Sequence, residues 1–166
     1  MVAIILKALL WLAPHLGPQT ATEYAKIIAF EARWYRVHPA LVLAIGDGES
    51  KWRNGKVSTT NDYGLLQIHV NRRGSDRFYG REKELFDPRT NIREAFRILD
   101  MWRTFHNRWC KKAKRKHPYW AHYKWGRHVK SATHTSKTKR LYAQLVRKFW
   151  PPVVAMKGGV GVLAVW

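Results

Sequence analysis

The apolar run Ala40-Leu41-Val42-Leu43-Ala44-Ile45, and the acidic residue that soon follows it, constrain this chain more than any other feature. Pro39 suits the first turn of a helix, so the run predicts a helix that begins there and ends near Ser50. A helix that is apolar on all sides has to be buried. Glu49 is therefore predicted to lie at the end of a buried element, where a carboxyl group is a candidate for chemistry.

A glycine-led apolar segment, Gly64-Leu65-Leu66-Gln67-Ile68, begins fifteen residues after Glu49. It is predicted to form a turn that closes over the carboxyl group. Desolvation disfavours the charged form of a carboxylic acid, so Glu49 is expected to stay protonated near neutral pH. A protonated carboxyl group is what a general acid for glycoside cleavage needs.

The remaining pattern predicts helices around one irregular lobe. Thr20 or Thr22 is expected to cap a helix that runs through Tyr35. Residues 51–63, which are polar and rich in turn residues, are predicted to form a loop or small hairpin. Further helices are predicted over about 91–116, about 118–126 and about 136–150. The predicted fold class is mainly α (α+β), with a small loop-rich or hairpin lobe beside Glu49.

At 166 residues and 19.5 kDa, the chain is expected to hold one domain with an ordinary core. We assign residues 1–19 to an apolar N-terminal segment, 20–150 to the domain with its basic C-terminal helices, and 151–166 to an apolar tail. Both ends are short of the roughly 20 apolar residues that span a bilayer, and Lys7 interrupts the first. Neither a transmembrane helix nor a convincing signal peptide is predicted. The ends are left to pack on the domain, or to dock on a membrane, a virion or a secretion-apparatus partner.

The net charge of +20 is concentrated in the C-terminal part of the chain. All eleven acidic residues lie at or before Asp100, and sixteen Lys and Arg residues follow it, with the densest runs at 111–116 and 137–140. Such a surface attracts polyanions. Anionic envelope polymers, a membrane surface and nucleic acid all fit, as does a merely solvated helix face. Three tryptophans among these charges, Trp109, Trp120 and Trp125, would stack on bases or on sugars alike.

The single cysteine and the histidines are potential metal ligands. Cys110 is the only cysteine, which excludes an intramolecular disulfide. His106 lies four residues before it, and His117 and His122 follow, but the spacing matches no recognised zinc motif. No metal and no cofactor is therefore predicted.

Three ordered motifs resemble the soluble lytic transglycosylases of the lysozyme superfamily. The first is Glu49-Ser50-Lys51-Trp52, with Ser58 nine residues after the glutamate and Gly64-Leu65-Leu66-Gln67-Ile68 at fifteen. The second is Asp87-Pro88-Arg89-Thr90-Asn91-Ile92 at a helix start. The third is Tyr123-Lys124-Trp125-Gly126, in which Lys124 stands where the family usually has Asn.

The resemblance implies a lysozyme-like domain that cleaves the β-1,4 bond between N-acetylmuramic acid and N-acetylglucosamine in peptidoglycan. Glu49 would protonate the leaving oxygen and then accept the proton of the muramoyl C6 hydroxyl, which closes a 1,6-anhydro ring. No second carboxylate is then required. Asp62 remains a conceivable partner, although a turn-capping role is favoured.

Five further residues are candidates for binding the glycan. By the resemblance, Ser58, Gln67 and Tyr123 line the saccharide groove, and His69 occupies a position that often borders it. Tyr63, together with Trp52, Leu65 and Leu66, is expected to give apolar cover or a stacking surface. Each also has a structural reading: Ser58 as a turn cap, Gln67 as a support for the loop, and Tyr123 as part of the core.

Three alternatives remain open at the level of the sequence. The same scaffold could hydrolyse the bond as a lysozyme or endolysin does. It could also be a basic structural virion protein or nucleic-acid-binding protein with a vestigial site. A phage virion enzyme is favoured slightly over a wall-opening enzyme of a bacterial secretion system, which places the protein in a virion or in the host periplasm and envelope.

Overall fold

The architecture is mainly helical, as the sequence predicts. The computed structural model describes residues 1–71, 76–110, 117–125 and 133–151, with the side chains of all but 124, 125 and 133–135. The basic run 111–116, Gly126 and most of the apolar tail therefore lie outside the described residues. The α-helices are α1 Val2–Leu12, α2 Gly17–Tyr35, α3 Pro39–Glu49, α4 Pro88–Phe105, α5 Ala121–Trp125 and α6 Thr133–Phe149. Short 3-10 turns occupy Pro14–Leu16 and Glu82–Phe86, a π-helical turn occupies His106–Cys110, and the strands are β1 Asp62–Tyr63 and β2 Ile68–His69.

Helix α3 is the buried central element, and the predicted bounds of this helix are confirmed. Every residue from Pro39 to Asp47 is buried, because no side of the helix carries a run of polar side chains. Pro39 occupies the first turn, where its missing N–H costs no hydrogen bond. The His38 imidazole Nδ1 accepts a hydrogen bond from the Ala40 amide at 3.2 Å and so caps the start.

Helices α1 and α2 pack together at the N-terminal end of the chain. Ile5, Ala8 and Leu9 are fully buried, and their spacing places them on one face of α1. The predicted cap of α2 was wrong: the helix begins at Gly17 with a proline in its first turn. The hydroxyl of Thr22 instead donates to the carbonyl of residue 18 one turn back, at 2.7 Å. Proline in a first turn already has a helical φ, so the helix can start earlier than the hydroxyl residues suggest.

Helix α4 is held on α2 by charged side chains. The Arg93 guanidinium donates to the buried Glu31 carboxylate at 3.0 Å. Arg103, in the last turn of α4, donates to the backbone carbonyls of Tyr35 and Arg36 at 2.9 and 2.8 Å. These carbonyls lie at the C-terminus of α2, where a cation both satisfies them and opposes the negative end of the helix dipole.

Helix α4 begins three residues earlier than predicted. The Asp87 carboxylate accepts a hydrogen bond from the Thr90 amide at 2.8 Å, and Pro88 fills the first turn. The α-helical hydrogen-bond pattern ends at Phe105 and widens into the π-helical turn His106–Cys110. Helix α6, whose Leu145 is fully buried, packs against α3.

The small lobe is an antiparallel hairpin in which Asp62 pairs with His69 and Tyr63 with Ile68. The prediction placed the loop or hairpin over 51–63, whereas the paired strands lie at 62–69 with Gly64 opening the connection. Gly64 has φ +76°, a conformation that glycine adopts without steric cost, and Gln67 closes the turn with φ +48°. The glycine that makes the turn is thus Gly64, one residue beyond the predicted range.

Within the described residues, no single helix has the length and hydrophobicity to cross a bilayer. Helix α1 and the segment Pro14–Tyr35 reach that length only as a pair, and they bend by 105° where they meet.

Candidate active site

Glu49 is the last residue of α3, between exposed Gly48 and buried Ser50. Its side chain is partly buried, so the end of the buried helix presents a carboxyl group at the surface of the core. The Lys56 ammonium donates to the backbone carbonyl of Glu49. This contact draws the chain after the helix back toward the helix terminus, where a cation is favourable.

Three hydrogen bonds from distant parts of the chain hold the backbone of the 64–67 turn. The Ser50 hydroxyl donates to the Leu65 carbonyl at 2.5 Å, and the Tyr123 hydroxyl donates to the Leu66 carbonyl at 2.9 Å. The Leu66 amide donates to the Asn91 side-chain oxygen at 2.9 Å. The residue after Glu49, the start of α4 and helix α5 therefore meet on one turn.

Asn91 is the residue that joins the hairpin to α4. It is fully buried, and its amide group donates to the carbonyls of Tyr63 and Leu85, both at 2.9 Å, while its oxygen accepts from Leu66. Each contact satisfies a polar group that burial would otherwise leave without water. Asn91 lies within the helix-start motif Asp87–Ile92, but no role at the site was predicted for it.

Close packing explains the glycine at position 64. A Cβ atom there would lie 2.3 Å from the Asn91 amide nitrogen and 2.4 Å from the Leu85 carbonyl oxygen. Neither neighbour is the free end of a flexible side chain, because Asn91 is held by its own hydrogen bonds. Position 64 therefore excludes every residue with a side chain.

The Gln67 side chain supports the turn from inside. Its Nε2 group donates to the carbonyls of Lys56 and Gly64 at 3.0 and 2.9 Å, and the residue is buried. Gln67 therefore supports the loop, which is one of the two roles that the sequence predicts for it. The two donors are used, and the Oε1 oxygen is the part of this amide that can accept a further hydrogen bond.

Ser58, Asp62 and His69 form one hydrogen-bonded group at the hairpin. The Ser58 hydroxyl donates to Asp62 Oδ2 at 2.5 Å and accepts from the Asp62 amide at 3.0 Å, and the exposed His69 Nδ1 lies 2.9 Å from Asp62 Oδ1. Burial by itself would raise the pKa of Asp62, but hydrogen bonds from Ser58, Thr60 and His69 outweigh it and hold that pKa below its ordinary value. Asp62 has the turn-capping contacts that the sequence favoured.

Tyr123 lies close to Glu49. Its side chain is partly buried on α5, and its hydroxyl is committed to the Leu66 carbonyl. Burial, and then the negative charges of Glu49, Glu94 and Asp62, raise the pKa of the Tyr123 phenol well above its ordinary value. The raised pKa favours the neutral phenol, the form that donates a hydrogen bond to the Leu66 carbonyl.

The four residues expected to give apolar cover and a stacking surface differ in their burial. Trp52, Leu65 and Leu66 are fully buried, so they give the expected apolar cover but no surface on which a sugar ring could stack. The Trp52 ring packs so closely on α3 that a Cβ at Gly46 would lie 2.6 Å from it. These three apolar side chains pack in the core, whereas the aromatic ring of Tyr63 remains partly exposed at the hairpin.

A mainly helical domain with an acid at the end of a buried helix, beside a small hairpin, is the architecture of the lysozyme-like superfamily. Residues 26–116 match the Transglycosylase SLT domain, and since this is more than half of the chain, the protein belongs to that family. No solved structure matches the chain. Members of the family are peptidoglycan lytic transglycosylases, so the protein is an enzyme of this kind that acts on peptidoglycan in the periplasm or envelope. The match covers Glu49 through Asn91 and ends before Tyr123.

Proposed function

We propose that Glu49 is the catalytic acid and base of a transglycosylase that cleaves the β-1,4 bond between N-acetylmuramic acid and N-acetylglucosamine. The observation that carries the proposal is its position, at the end of α3 beside the turn that Ser50, Asn91 and Tyr123 hold. A rigid turn next to a partly buried carboxyl group gives a fixed surface against which a glycan can be oriented.

The reaction needs one carboxyl group used twice. Glu49 donates its proton to the glycosidic oxygen as the bond from that oxygen to C1 of the muramoyl sugar breaks, and the N-acetylglucosamine end leaves with a hydroxyl group. The C6 hydroxyl of the same muramoyl residue then attacks C1, and Glu49 takes up the hydroxyl proton. A 1,6-anhydro ring results, and the enzyme returns to its starting protonation state without using water.

The surroundings of the two nearest acids support a mechanism with one carboxylate. Asp47 is buried and paired with Lys51 at 2.7 Å. Asp62 is held by Ser58, Thr60 and His69 in the hairpin. A nucleophile or second general base has to be free to approach the sugar, whereas each of these carboxylates already serves a structural contact.

We assign glycan contacts to Tyr63 and His69, which the fold leaves partly or fully exposed at the hairpin, and to the side-chain oxygen of the buried Gln67. Tyr63 offers the edge of a partly exposed ring, and His69 offers the ring nitrogen that is not bound to Asp62. The Oε1 oxygen of Gln67 is suited to accept a hydrogen bond from an acetamido N–H. Ser58 and Tyr123 act on the groove through Asp62 and Leu66, the groups to which their hydroxyls are bonded.

The test compares wild type with Glu49→Gln on purified peptidoglycan, by zymogram and by mass spectrometry of the released fragments. General acid-base groups typically contribute about 10²–10⁴-fold, so we expect wall cleavage by Glu49→Gln to fall by at least about 100-fold. Glu23→Gln, the same change at an exposed position of α2, is the matched control and should keep full activity. Cleavage that survives Glu49→Gln would contradict the catalytic assignment, and products without the anhydro end would indicate hydrolysis instead.

We further propose that the exposed cations of α6 retain the enzyme on an anionic envelope, which suits localised wall opening by a phage or by a secretion apparatus. Lys137, Lys139 and Arg140 are exposed, and so are Arg147 and Lys148. No acidic residue follows Asp100, so nothing along this helix offsets the charge. Exposed charges act over about 8–10 Å at ordinary ionic strength, so retention should weaken as salt is added.

This second proposal is tested by pelleting the protein with wall sacculi that carry anionic polymers. The triple change of Lys137, Lys139 and Arg140 to Gln should reduce the bound fraction at low salt. The control neutralises three exposed cations on α1 and α2, Lys7, Lys26 and Arg33, and removes the same net charge. An equal decrease in the bound fraction of the two variants would show that net charge alone, and not the position of the cations on α6, causes retention.

A further inference from the structure

Three imidazoles and the single thiol converge where α4 ends and α5 begins. One potential ligand atom from each of His106, Cys110, His117 and His122 lies within 4.8 Å of the other three. His106 and Cys110 stand four residues apart on the π-helical turn, His117 lies before α5, and His122 is the second residue of α5. The sequence expectation of no metal rested on spacing, which does not show that these four side chains meet.

Two distances within the cluster match those of a tetrahedral nitrogen and sulfur site. A zinc ion with bonds of about 2.3 Å to sulfur and about 2.05 Å to nitrogen holds S and N about 3.6 Å apart, and two N atoms about 3.3 Å apart. Cys110 Sγ lies 3.6 Å from His122 Nε2, and His117 Nε2 lies 3.1 Å from His122 Nε2. The side chains need only small shifts to receive an ion.

The cluster is also buried and pre-oriented by its surroundings. Cys110 and His122 are 3% and 0% exposed, and His106 is buried as well. The His122 ring stacks on Trp102 with 5.0 Å between ring centroids and meets Phe105 edge-on at 5.4 Å. Aromatic walls of this kind fix the direction of the imidazole and exclude water. Four metal-ligating groups that meet beside aromatic side chains provide a donor set for one ion.

We propose that His106, Cys110, His117 and His122 bind one Zn²⁺ ion as a closed structural site. Zinc suits the donor set, because imidazole and thiolate together in a tetrahedron are ligands that it prefers. Binding replaces the thiol proton of Cys110, which is released to solvent, so that the thiolate and three neutral imidazoles leave a net charge of +1. All four positions are filled by the protein, which leaves no open position for a substrate or a reactive water.

The consequence for the enzyme is that the ion fixes α5. His122 precedes Tyr123, whose hydroxyl holds the Leu66 carbonyl of the active-site turn. A metal that links His122 to the end of α4 therefore positions Tyr123. It also joins Cys110 to His117, the residues on either side of the basic run 111–116. The metal site itself does not depend on the function proposed above, whereas this positioning role does.

The first test measures metal on the full chain purified without added chelator. We expect about one equivalent of zinc per chain by elemental analysis, lost after prolonged dialysis against a strong chelator and restored by adding Zn²⁺. Loading with Co²⁺ in place of zinc should give the intense visible bands of a tetrahedral site and a charge-transfer band from the thiolate. Absence of metal from the wild type, together with no uptake of Zn²⁺ or Co²⁺, would overturn the proposal.

Variants separate the site from adventitious binding. Cys110→Ser should abolish the thiolate band, and His122→Gln should lower the metal content, whereas His15→Gln, at an exposed position remote from the cluster in sequence, should change neither. If the cluster variants do not fold, the melting temperature of the wild type with and without Zn²⁺ still decides the matter, since a structural ion has to raise it. A melting temperature unaffected by Zn²⁺ would contradict a structural role. Wall cleavage is measured separately, so that loss of activity with metal bound counts only against the positioning of Tyr123.

Discussion

The hydroxyl of Ser50 donates a 2.5 Å hydrogen bond to the carbonyl of Leu65. The serine follows Glu49 directly, and the leucine lies in the turn of the hairpin, so this bond joins the C-terminal end of α3 to the lobe beside it. The Ser50 side chain is buried, so no water molecule can easily take its place. The fifteen-residue spacing between the two motifs thus corresponds to a physical contact.

Ser50→Ala is expected to loosen this junction. Removing the hydroxyl leaves the Leu65 carbonyl unsatisfied, which should lower the free energy of unfolding by about 1–3 kcal/mol. Activity should fall further than stability explains, because the turn no longer has a fixed position relative to Glu49. The measurements are urea denaturation and the rate of peptidoglycan solubilisation, with Thr59→Ala, an exposed hydroxyl in the same lobe, as the control. Full activity in Ser50→Ala would show that the bond is dispensable for catalysis.

Gly64→Ala and Gly80→Ala form a matched pair. Both glycines have φ +76°, so both alanines carry the left-handed backbone cost of about 1–2 kcal/mol. A Cβ at position 80 meets nothing within 4 Å, whereas a Cβ at position 64 meets Asn91 and the Leu85 carbonyl. We expect Gly64→Ala to cost more than Gly80→Ala, by at least about 1 kcal/mol, and to reduce activity. Equal denaturation midpoints for the two variants would refute the packing argument.

Tyr123→Phe tests the contact between α5 and the turn. The variant keeps the ring and removes the donor to the Leu66 carbonyl, which should cost about 0.5–1.5 kcal/mol of stability. Since the phenol lies near Glu49, the activity and its pH profile are expected to change as well. Tyr79→Phe, at an exposed tyrosine, is the control for loss of a hydroxyl group. An unchanged pH profile in Tyr123→Phe would mean that the hydroxyl does not influence the catalytic carboxyl group.

Asp62 makes the hairpin sensitive to acid. Its pKa in the folded protein lies below the ordinary 3.8, so over this range the unfolded chain binds more protons and stability increases with pH. The contribution of Asp62 is fully present above about pH 5 and is lost as pH falls through 3.8 toward the folded value. Unfolding free energies measured from about pH 6 to pH 3 should therefore fall more steeply for wild type than for Asp62→Asn. Parallel curves would show that Asp62 has the same pKa in both states.

Much of the fold follows from patterns that are local in sequence. The apolar run after Pro39 predicts α3 to within a residue, because a helix that is apolar on every side has one stable location, the core. The motif at Asp87-Pro88 marks the start of α4 by cap chemistry that needs only four residues. The start of α2 was harder to place, because Pro18 and Thr20 offer competing starts, and local rules do not rank them.

The site was predictable only in part. Spacing pointed to Glu49 and the segment after Gly64, but it did not decide whether Trp52 gives apolar cover or a stacking surface, and its full burial leaves only the cover. Burial is a property of all the surfaces that compete for the interior, and one side chain's hydrophobicity does not decide it. Asn91 was visible in a motif, yet its three hydrogen bonds depend on two carbonyls and one amide that come from two other segments.

The sequence by itself determined the elements, the acid at the end of α3 and the family to which the chain belongs, because these depend on residue order and short-range spacing. Only the tertiary structure decided which side chains meet. Ser50 with Leu65, Tyr123 with Leu66, and the four residues His106, Cys110, His117 and His122 are brought together by packing between separate parts of the chain. Such contacts depend on where whole elements come to rest, and no local pattern in the chain encodes that position.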